Sequence, residues 1–116
     1  MPEKKNLLLD LSIDFSLEII NYCELLEEKR KYVIARQLLK SGTSIGANAH
    51  ESQNAQSKKD FIHKLKIAAK EADETKYWLI LCNKSENYPN TGTLSEKLLS
   101  IQKVLSKIIS STHKRL

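Results

Sequence analysis

The stretch that decides the fold runs from Leu38 to Glu51 and reads LLKSGTSIGANAHE. It concentrates small residues in a chain that is otherwise rich in strong helix formers. A loop, a phosphate-binding turn, or a helix that another helix approaches closely would each explain the glycines. The phosphate-binding turn is disfavoured because no strand precedes the stretch and the Gly-Lys-Ser/Thr ending of such a loop is missing.

The spacing of the small and apolar residues favours the helix over the loop. Positions alternately three and four residues apart form an unbroken heptad series on one helical face. They are Ala35, Leu38, Gly42, Ile45, Ala49 and Ser52. A glycine within a helix costs about 1 kcal/mol relative to alanine, and close approach of a second helix would justify that cost. The stretch is therefore predicted to form a helix-packing groove that consists of Gly42, Ile45, Gly46 and Ala49.

Similar periodicity predicts three further helices, and no β-branched run bounded by turn residues indicates a strand. The predicted helices cover about residues 11–28, 32–54, 58–85 and 94–113. Four long helices with short connections in a 116-residue chain predict one all-α domain. The expected architecture is an antiparallel, up-down-up-down four-helix bundle.

Three polar residues are expected to begin helices. Ser12 is a predicted N-cap of the first helix. Ser57, with Asp60 three residues later, resembles a capping box at the start of the third helix. Thr93 and Glu96 have the same spacing and predict a second box at the start of the fourth helix.

Apolar stripes on three helices are wider than the core of one bundle requires. Ile20, Leu99 and Ile109 each follow another apolar residue directly, and residues 77–81 are apolar around more than one turn. Outward apolar faces of this kind suggest self-association.

The apolar segments exclude a membrane protein and predict a cytoplasmic one. The longest apolar run, Tyr77 to Cys82, is far shorter than the ~20 residues of a membrane span. Leu7 to Leu9 is too short for a signal-peptide core. Cys23 and Cys82 occupy apolar periodic positions and are expected to be reduced thiols in the core.

The polar residues match no catalytic or metal-binding pattern. Ser41 and Ser44 have no His or Asp partner at a motif spacing, so nucleophilic catalysis lacks support. Di-iron bundles use Glu-x-x-His pairs, and no Glu in this chain is followed by His three positions later. We expect a non-enzyme with no cofactor, no metal and no small-molecule substrate.

A polar stripe lies beside the heptad face of the second helix. Ser41, Ser44, Asn48 and Glu51 are spaced three, four and three apart, and the third helix could present Glu71, Glu74 and Thr75 to them. The favoured interpretation is an interhelical polar network of hydrogen bonds. Its predicted members are Ser44, Asn48, Glu51, Glu71 and Thr75. The alternative is a carboxylate-bridged metal centre that uses the glutamates of both helices.

The net charge of +5 is distributed unevenly along the chain. Residues 1–28 contain two lysines and seven acids, which sum to −5, whereas residues 29–116 contain seventeen basic residues and seven acids, which sum to +10. Basic side chains contact nucleic-acid phosphates without reading bases, and few aromatic residues are available for stacking on bases. The candidate nucleic-acid contacts are Arg36, Lys40, Lys58, Lys59, Lys66, Lys70, Lys103, Lys107 and Arg115. The alternative is a solvated basic surface on a structural scaffold.

Two segments resemble the four-helix-bundle family of the rRNA intervening-sequence proteins. They are SGTSIGANAHES and SKKDFIHKLKIAAKEADETKYWLILC, within residues 38–82. The family core reads as a small-residue helix ending in Asn-x-x-Glu, here Asn48 and Glu51, and then a capped helix with Phe61, Leu65 and Ala68. The accessory variability determinant of diversity-generating retroelements is similar to this family.

The resemblance implies a four-helix bundle that assembles into a ring-shaped homo-oligomer, most often a pentamer. For the retroelement relatives it also implies binding to RNA and to a reverse transcriptase, whereas most of the family has no assigned activity. Two functions are therefore expected: a homo-oligomer that binds RNA or a nucleic-acid enzyme through a basic surface, or a structural oligomer without nucleic-acid binding.

Overall fold

Helices account for nearly all of the chain in the computed structural model, which describes the backbone of residues 2–113 and the side chains of residues 7–112. The four helices are α1 (Pro2–Glu28), α2 (Tyr32–Ser52), α3 (Lys58–Lys84) and α4 (Leu94–His113). The described range contains no strand. The prediction of an all-α fold is confirmed.

Each helix lies antiparallel to its neighbours, because residue numbers rise along one helix as they fall along the next. Between α1 and α2, Ile19 meets Gly42 and Ser12 meets Gly46; between α2 and α3, Ser41 meets Thr75 and Glu51 meets Lys64. Asp73 of α3 meets Gln102 of α4. Between α1 and α4, Asp14 meets Lys97 and Glu18 meets Thr93. The bundle measures 48 × 21 × 20 Å, in keeping with helices of up to 27 residues. Going around it, the order is α1, α2, α3, α4, so α1 and α3 face each other diagonally.

The predicted start of the first helix at residue 11 is wrong, because α1 begins at Pro2. Proline is tolerated in the first turn of a helix, where its missing N–H would have had no intrahelical partner. Ser12 is therefore not an N-cap; it lies in the middle of α1 and is buried. Leu8, in the added segment, is 1% exposed and extends the core, which accounts for the greater length of the helix.

The remaining helix ends lie within two residues of the predicted ones. α2 ends at Ser52 rather than residue 54, because the N–H groups of Gln53 and Asn54 bond to carbonyls only three residues back and tighten the last turn. α3 ends at Lys84 rather than residue 85, and α4 has the predicted bounds.

The predicted N-cap of α3 is present, but the return bond of the capping box reaches Gln56, one residue before Ser57. The Ser57 hydroxyl accepts a hydrogen bond from the N–H of Asp60 at 3.0 Å, and the Asp60 carboxylate accepts one from the N–H of Gln56 at 3.2 Å. The second predicted box does not form, because no described hydrogen bond joins the N–H of Glu96 to the Thr93 hydroxyl. That hydroxyl donates to the Glu18 carboxylate of α1 at 3.3 Å.

A Schellman motif ends α1. The N–H of Lys31 bonds to the carbonyl of Leu26 at 2.8 Å, and the N–H of Arg30 bonds to that of Glu27 at 2.9 Å. Arg30 has a φ of 63°, the left-handed conformation that this motif requires and that glycine usually supplies.

The core contains both thiols and one tyrosine. Cys23 and Cys82 are free and buried, and burial, with a smaller contribution from Cys82, raises the pKa of the Cys23 thiol to about 12. Burial also raises the pKa of Cys82 and, strongly, that of Tyr22, whose hydroxyl donates to the carbonyl of Pro89 at 2.8 Å. No described Cα of α1 lies within 8 Å of one in α3, so Cys23 and Cys82 are too far apart for a disulfide.

Candidate functional site

The predicted helix-packing groove receives α1. A Cβ atom at Gly42 would lie 3.0 Å from both Cγ1 and Cγ2 of Ile19, and one at Gly46 would lie 3.2 Å from Cβ of Ser12. Ile45 and Ala49 are fully buried on the same side of α2. The absence of side chains at both glycines is therefore what lets α1 lie so close to α2.

The predicted interhelical polar network forms only in part, because Ser44, Asn48 and Glu71 make no bond to the other helix among the described residues. The Ser44 hydroxyl donates to the carbonyl of Lys40 at 2.6 Å, and the Asn48 amide donates to that of Ser44 at 2.9 Å, so both bond within α2. The Glu71 carboxylate makes no hydrogen bond within the described chain, and only the Glu71 backbone carbonyl accepts one, from Thr75 at 2.7 Å. Short polar side chains on a helix find a carbonyl of the preceding turn within reach, which removes the need for a partner on α3.

Two polar bonds do connect α2 with α3. The hydroxyls of Thr75 and Ser41 share a hydrogen bond of 2.9 Å, and both residues are completely buried. Near the other end of α2, Lys64 Nζ lies 3.0 Å from Glu51 Oε1, and this hydrogen bond raises the pKa of Lys64. Ser41 belongs to the predicted stripe but not to the predicted network. Ser41 lies four residues before the core residue Ile45, and this spacing could have shown from the sequence that Ser41 faces the core.

Two of the three glutamates of the alternative metal centre already have other partners. Glu51 pairs with Lys64, and Glu74 accepts a hydrogen bond of 3.0 Å from the indole of Trp78. Across residues 7–112, no three His, Cys, Asp or Glu side chains are grouped so that they could hold a metal ion.

The candidate nucleic-acid contacts occupy two regions of the surface. Arg36 and Lys40 are exposed on α2. The exposed lysines of α3 and α4 are Lys58, Lys59, Lys66, Lys70, Lys103 and Lys107. Arg115 lies outside the described residues. Within the described chain, none of these eight side chains forms an ion pair, unlike Lys64 and Lys97.

The lysines of α3 and α4 belong to two adjacent helices that one side-chain hydrogen bond joins at the surface. The Gln102 amide donates to the Asp73 carboxylate at 3.2 Å. Two turns away, Lys66 of α3 lies beside Ile109 of α4, and both border a surface groove of about 390 Å³. We call the outer surface formed by Lys66, Lys70, Lys103 and Lys107 the basic face.

An apolar stripe lies on the opposite side of the bundle. Ile13, Leu17 and Ile20 are spaced four and three residues apart along α1 and are 47%, 57% and 38% exposed. Leu39 of α2 is 39% exposed and borders a groove of about 150 Å³ together with Ile20. We call these four residues the apolar stripe. The prediction of an outward apolar face is met at Ile20 and also at Leu99, which is half exposed.

Two aromatic side chains are more exposed than the sequence suggested. Tyr32 is 51% exposed and Tyr77 is 55% exposed. The Tyr77 ring meets the Trp78 ring edge to face, with 5.3 Å between centroids. Aromatic surface is therefore present, but Asp73 and Glu74 lie one turn before Tyr77 and make its surroundings less favourable for an anionic strand.

Comparisons with known proteins agree with this architecture. A family described as 23S rRNA-intervening sequence protein matches residues 4–110. The chain is also similar to the crystal structure of a protein of unknown function from the S23 ribosomal protein family of Bacteroides thetaiotaomicron VPI-5482. The two are 43% identical with a TM-score of 0.86, over 92% of this chain and 98% of that one. No curated protein matches.

Proposed function

This chain belongs to the 23S rRNA-intervening sequence protein family, as its sequence predicted, and on that premise we propose that it is a non-enzymatic homo-oligomer that binds RNA through its basic face. The observation that carries the proposal is the set of four unpaired lysines on the outer surfaces of α3 and α4. Lysines held in ion pairs have already exchanged part of their hydration for a carboxylate, whereas these four remain available to phosphates.

The charge around the basic face supports binding to a polyanion. α4 has no acidic residue after Glu96, and α3 has none from Phe61 to Lys70. α1, by contrast, has six acids and no basic residue from Leu7 to Glu28. The resulting field directs an anionic strand toward α3 and α4 and away from α1.

The apolar stripe supports the homo-oligomer. Its four side chains are all more than a third exposed, and they lie on the side of the bundle opposite to the basic face. A contact between copies at α1 and α2 would cover them and leave the lysines accessible. The family resemblance supports a number of about five subunits.

The proposed function also implies a cellular compartment and binding partners for this protein. We place the protein in the cytoplasm, where reduced thiols such as Cys23 and Cys82 persist. RNA is the proposed ligand, and a reverse transcriptase or another nucleic-acid enzyme is a further proposed partner. None of the described helices is long and apolar enough to cross a bilayer.

Light scattering on protein purified at low salt, with absorbance at 260 and 280 nm, is the first test of this function. We expect a mass of about five subunits and an excess of absorbance at 260 nm. Leu17→Glu places a charge in the apolar stripe and is expected to lower the mass. Leu99→Glu changes an equally exposed leucine on another surface and should leave the mass unchanged. A wild-type monomer would contradict the oligomer.

RNA binding is tested by mobility shift with a charge-matched pair of variants. Lys70→Gln/Lys103→Gln removes two charges from the basic face, and Lys29→Gln/Lys84→Gln removes two exposed charges elsewhere. We expect the first variant to weaken binding at least tenfold more than the second, and wild-type binding to fall steeply between ~50 and ~200 mM salt. Absence of wild-type binding at micromolar protein would contradict the RNA function.

A structural scaffold is the second candidate, and the apolar stripe is the observation that favours it. An oligomer of the expected mass that carries no nucleic acid and binds none at low salt would support this function. Its lysines would then serve only to keep the assembly hydrated.

A further inference from the structure

The basic face contains a groove whose lining differs from the rest of the surface. The groove lies between α3 and α4, has a volume of about 390 Å³, and is lined by Lys66, Ser106, Ile109 and Ser110. Ser106 and Ser110 are one helical turn apart, so their hydroxyls project from the same side of α4. The groove thus presents one ammonium group and two hydroxyls beside a half-buried apolar side chain.

The polar groups of this groove have no partners within the described chain. Most other helical hydroxyls that form hydrogen bonds donate to a carbonyl four residues earlier; Ser100, in the same helix, donates to Glu96 at 3.3 Å. Neither Ser106 nor Ser110 makes such a bond among the described residues, and Lys66 forms no ion pair there. Lys64, two residues earlier, is held by Glu51. One ammonium group and two hydroxyls therefore border a mainly apolar groove, with no acceptor supplied by the described residues.

We propose that the groove of Lys66, Ser106, Ile109 and Ser110 binds the phosphate and ribose of one nucleotide. A phosphate oxygen accepts hydrogen bonds from the ammonium group and from both hydroxyls, and Ile109 packs against the sugar. The groove is open to solvent, so the attached ribose can lie against Ile109 without being enclosed. Hydroxyl groups also exchange hydrogen bonds with a ribose 2′-OH, the group that marks RNA.

This inference deepens the proposed RNA binding and rests on it, because it gives the basic face one defined position for the strand. The nucleotide belongs either to the backbone of an RNA strand or to a free nucleoside monophosphate, which share the same phosphate and ribose. The two sources are separated by measuring both ligands on the same set of variants.

The test uses fluorescence anisotropy of a fluorescein-labelled uridine 10-mer at ~50 mM salt. Ser106→Ala/Ser110→Ala removes both hydroxyls and no charge, and Lys66→Gln removes the ammonium group. The matched controls are Ser100→Ala, outside the groove on α4, and Lys84→Gln, an exposed lysine at the other end of α3. All are exposed helical positions where alanine or glutamine is a good helix former, and circular dichroism verifies folding.

The groove predicts a loss of affinity of about tenfold for the double serine variant and at least as much for Lys66→Gln, with controls within about twofold of wild type. The salt dependence of Lys66→Gln should also be shallower, by about 0.7 in the slope of log affinity against log salt. Equal losses for Lys66→Gln and Lys84→Gln, or an unaffected serine variant, would overturn the groove while leaving the basic face as a diffuse RNA-binding surface.

A wild-type protein that does not bind the 10-mer would contradict the proposed function, and uridine 5′-monophosphate then decides the groove. Calorimetric binding of the monophosphate to wild type, lost in the double serine variant, would assign the groove to a free nucleotide. No binding of the monophosphate in that case would overturn the groove as well.

Discussion

The seam between α1 and α2 and the seam between α3 and α4 differ in how tightly they close. At the first, two glycines of α2 bring the helices together until Ile19 and Ser12 occupy the space of the missing side chains. At the second, an exposed hydrogen bond joins Gln102 to Asp73, and a groove of about 390 Å³ remains two turns further along the helices.

The difference shows that small residues at a seam decide whether a surface is available for a ligand. Glycine at positions 42 and 46 removes the volume that would otherwise separate the helices. Neither α3 nor α4 contains a glycine, and the lysine and serines along their edge are exposed around the groove. The α1–α2 side is thereby closely packed beneath its apolar stripe, whereas the α3–α4 side keeps the larger groove.

Gly42→Leu is the change that should disturb the closed seam most. A Cβ at this position already meets Ile19 at 3.0 Å, and a leucine adds three more carbons, so we expect a loss of roughly 1–3 kcal/mol or more in unfolding free energy. Thermal unfolding followed by circular dichroism measures it. Ala47→Leu, at an exposed position of the same helix, is the control and should change stability by less than about 0.5 kcal/mol. Equal thermal stability of Gly42→Leu and wild type would show that the seam is not tight.

Thr75→Val tests the neighbouring seam, where α2 meets α3 through one buried polar bond. With valine at position 75, the buried Ser41 hydroxyl loses its partner on α3. Among the described residues, its one remaining hydrogen-bond acceptor is the Leu38 carbonyl, at the long distance of 3.5 Å. We expect a loss of about 1–3 kcal/mol, measured by urea unfolding. The double variant Ser41→Ala/Thr75→Val should recover part of it, because no unpaired hydroxyl remains. Strictly additive losses would show that the two hydroxyls do not depend on each other.

Alkaline pH should destabilise the bundle as a whole. Burial raises the pKa of Cys23, Cys82 and Tyr22, so at high pH the unfolded chain loses protons that the folded chain retains. Stability is therefore complete below about pH 9 and decreases as the pH rises toward the pKa of about 12 for Cys23. The urea midpoint should fall between pH 8.5 and pH 10.5, and by less in Cys23→Ala. A midpoint that rises over this range would contradict the buried thiol.

Arg30→Gly should have the smallest effect, and it should be stabilising. Arg30 occupies the left-handed position of the Schellman motif, where glycine has no steric penalty. We expect a gain of about 0.5–1 kcal/mol, measured by the urea midpoint. Lys29→Gly, one residue earlier and without a positive φ, is the control and should not stabilise the protein.

The sequence predicted the features that depend on periodicity. The heptad series of α2 required a helix with a small-residue groove, and Ser57 with Asp60 required a helix start, because both patterns depend on residues close together in the chain. The start of α1 was not predicted, since an internal serine resembles an N-cap and only the burial of Leu8 shows that the helix extends further.

The site depended on relationships that no local pattern contains. Ser44 and Asn48 have the spacing of an interhelical network, yet each bonds to the turn before it. The groove of Lys66 and Ser106 exists because α3 and α4 meet in one register, which the Gln102–Asp73 bond makes visible and the sequence does not. Charge composition indicated basic helices but not which lysines lack an ion-pair partner.

The contacts that join α1 to α4 have a consequence for the order of folding. Every other seam connects helices that are consecutive in the chain, whereas Lys97 with Asp14 and Thr93 with Glu18 connect residues 83 and 75 apart. Closing so long a loop has the largest entropic cost, so it is favoured only after the successive hairpins have formed. We therefore expect the α1–α4 seam to form after the transition state, so that weakening it speeds unfolding and leaves the folding rate nearly unchanged. The three consecutive helix hairpins would form first, and the contact between α1 and α4 would form last.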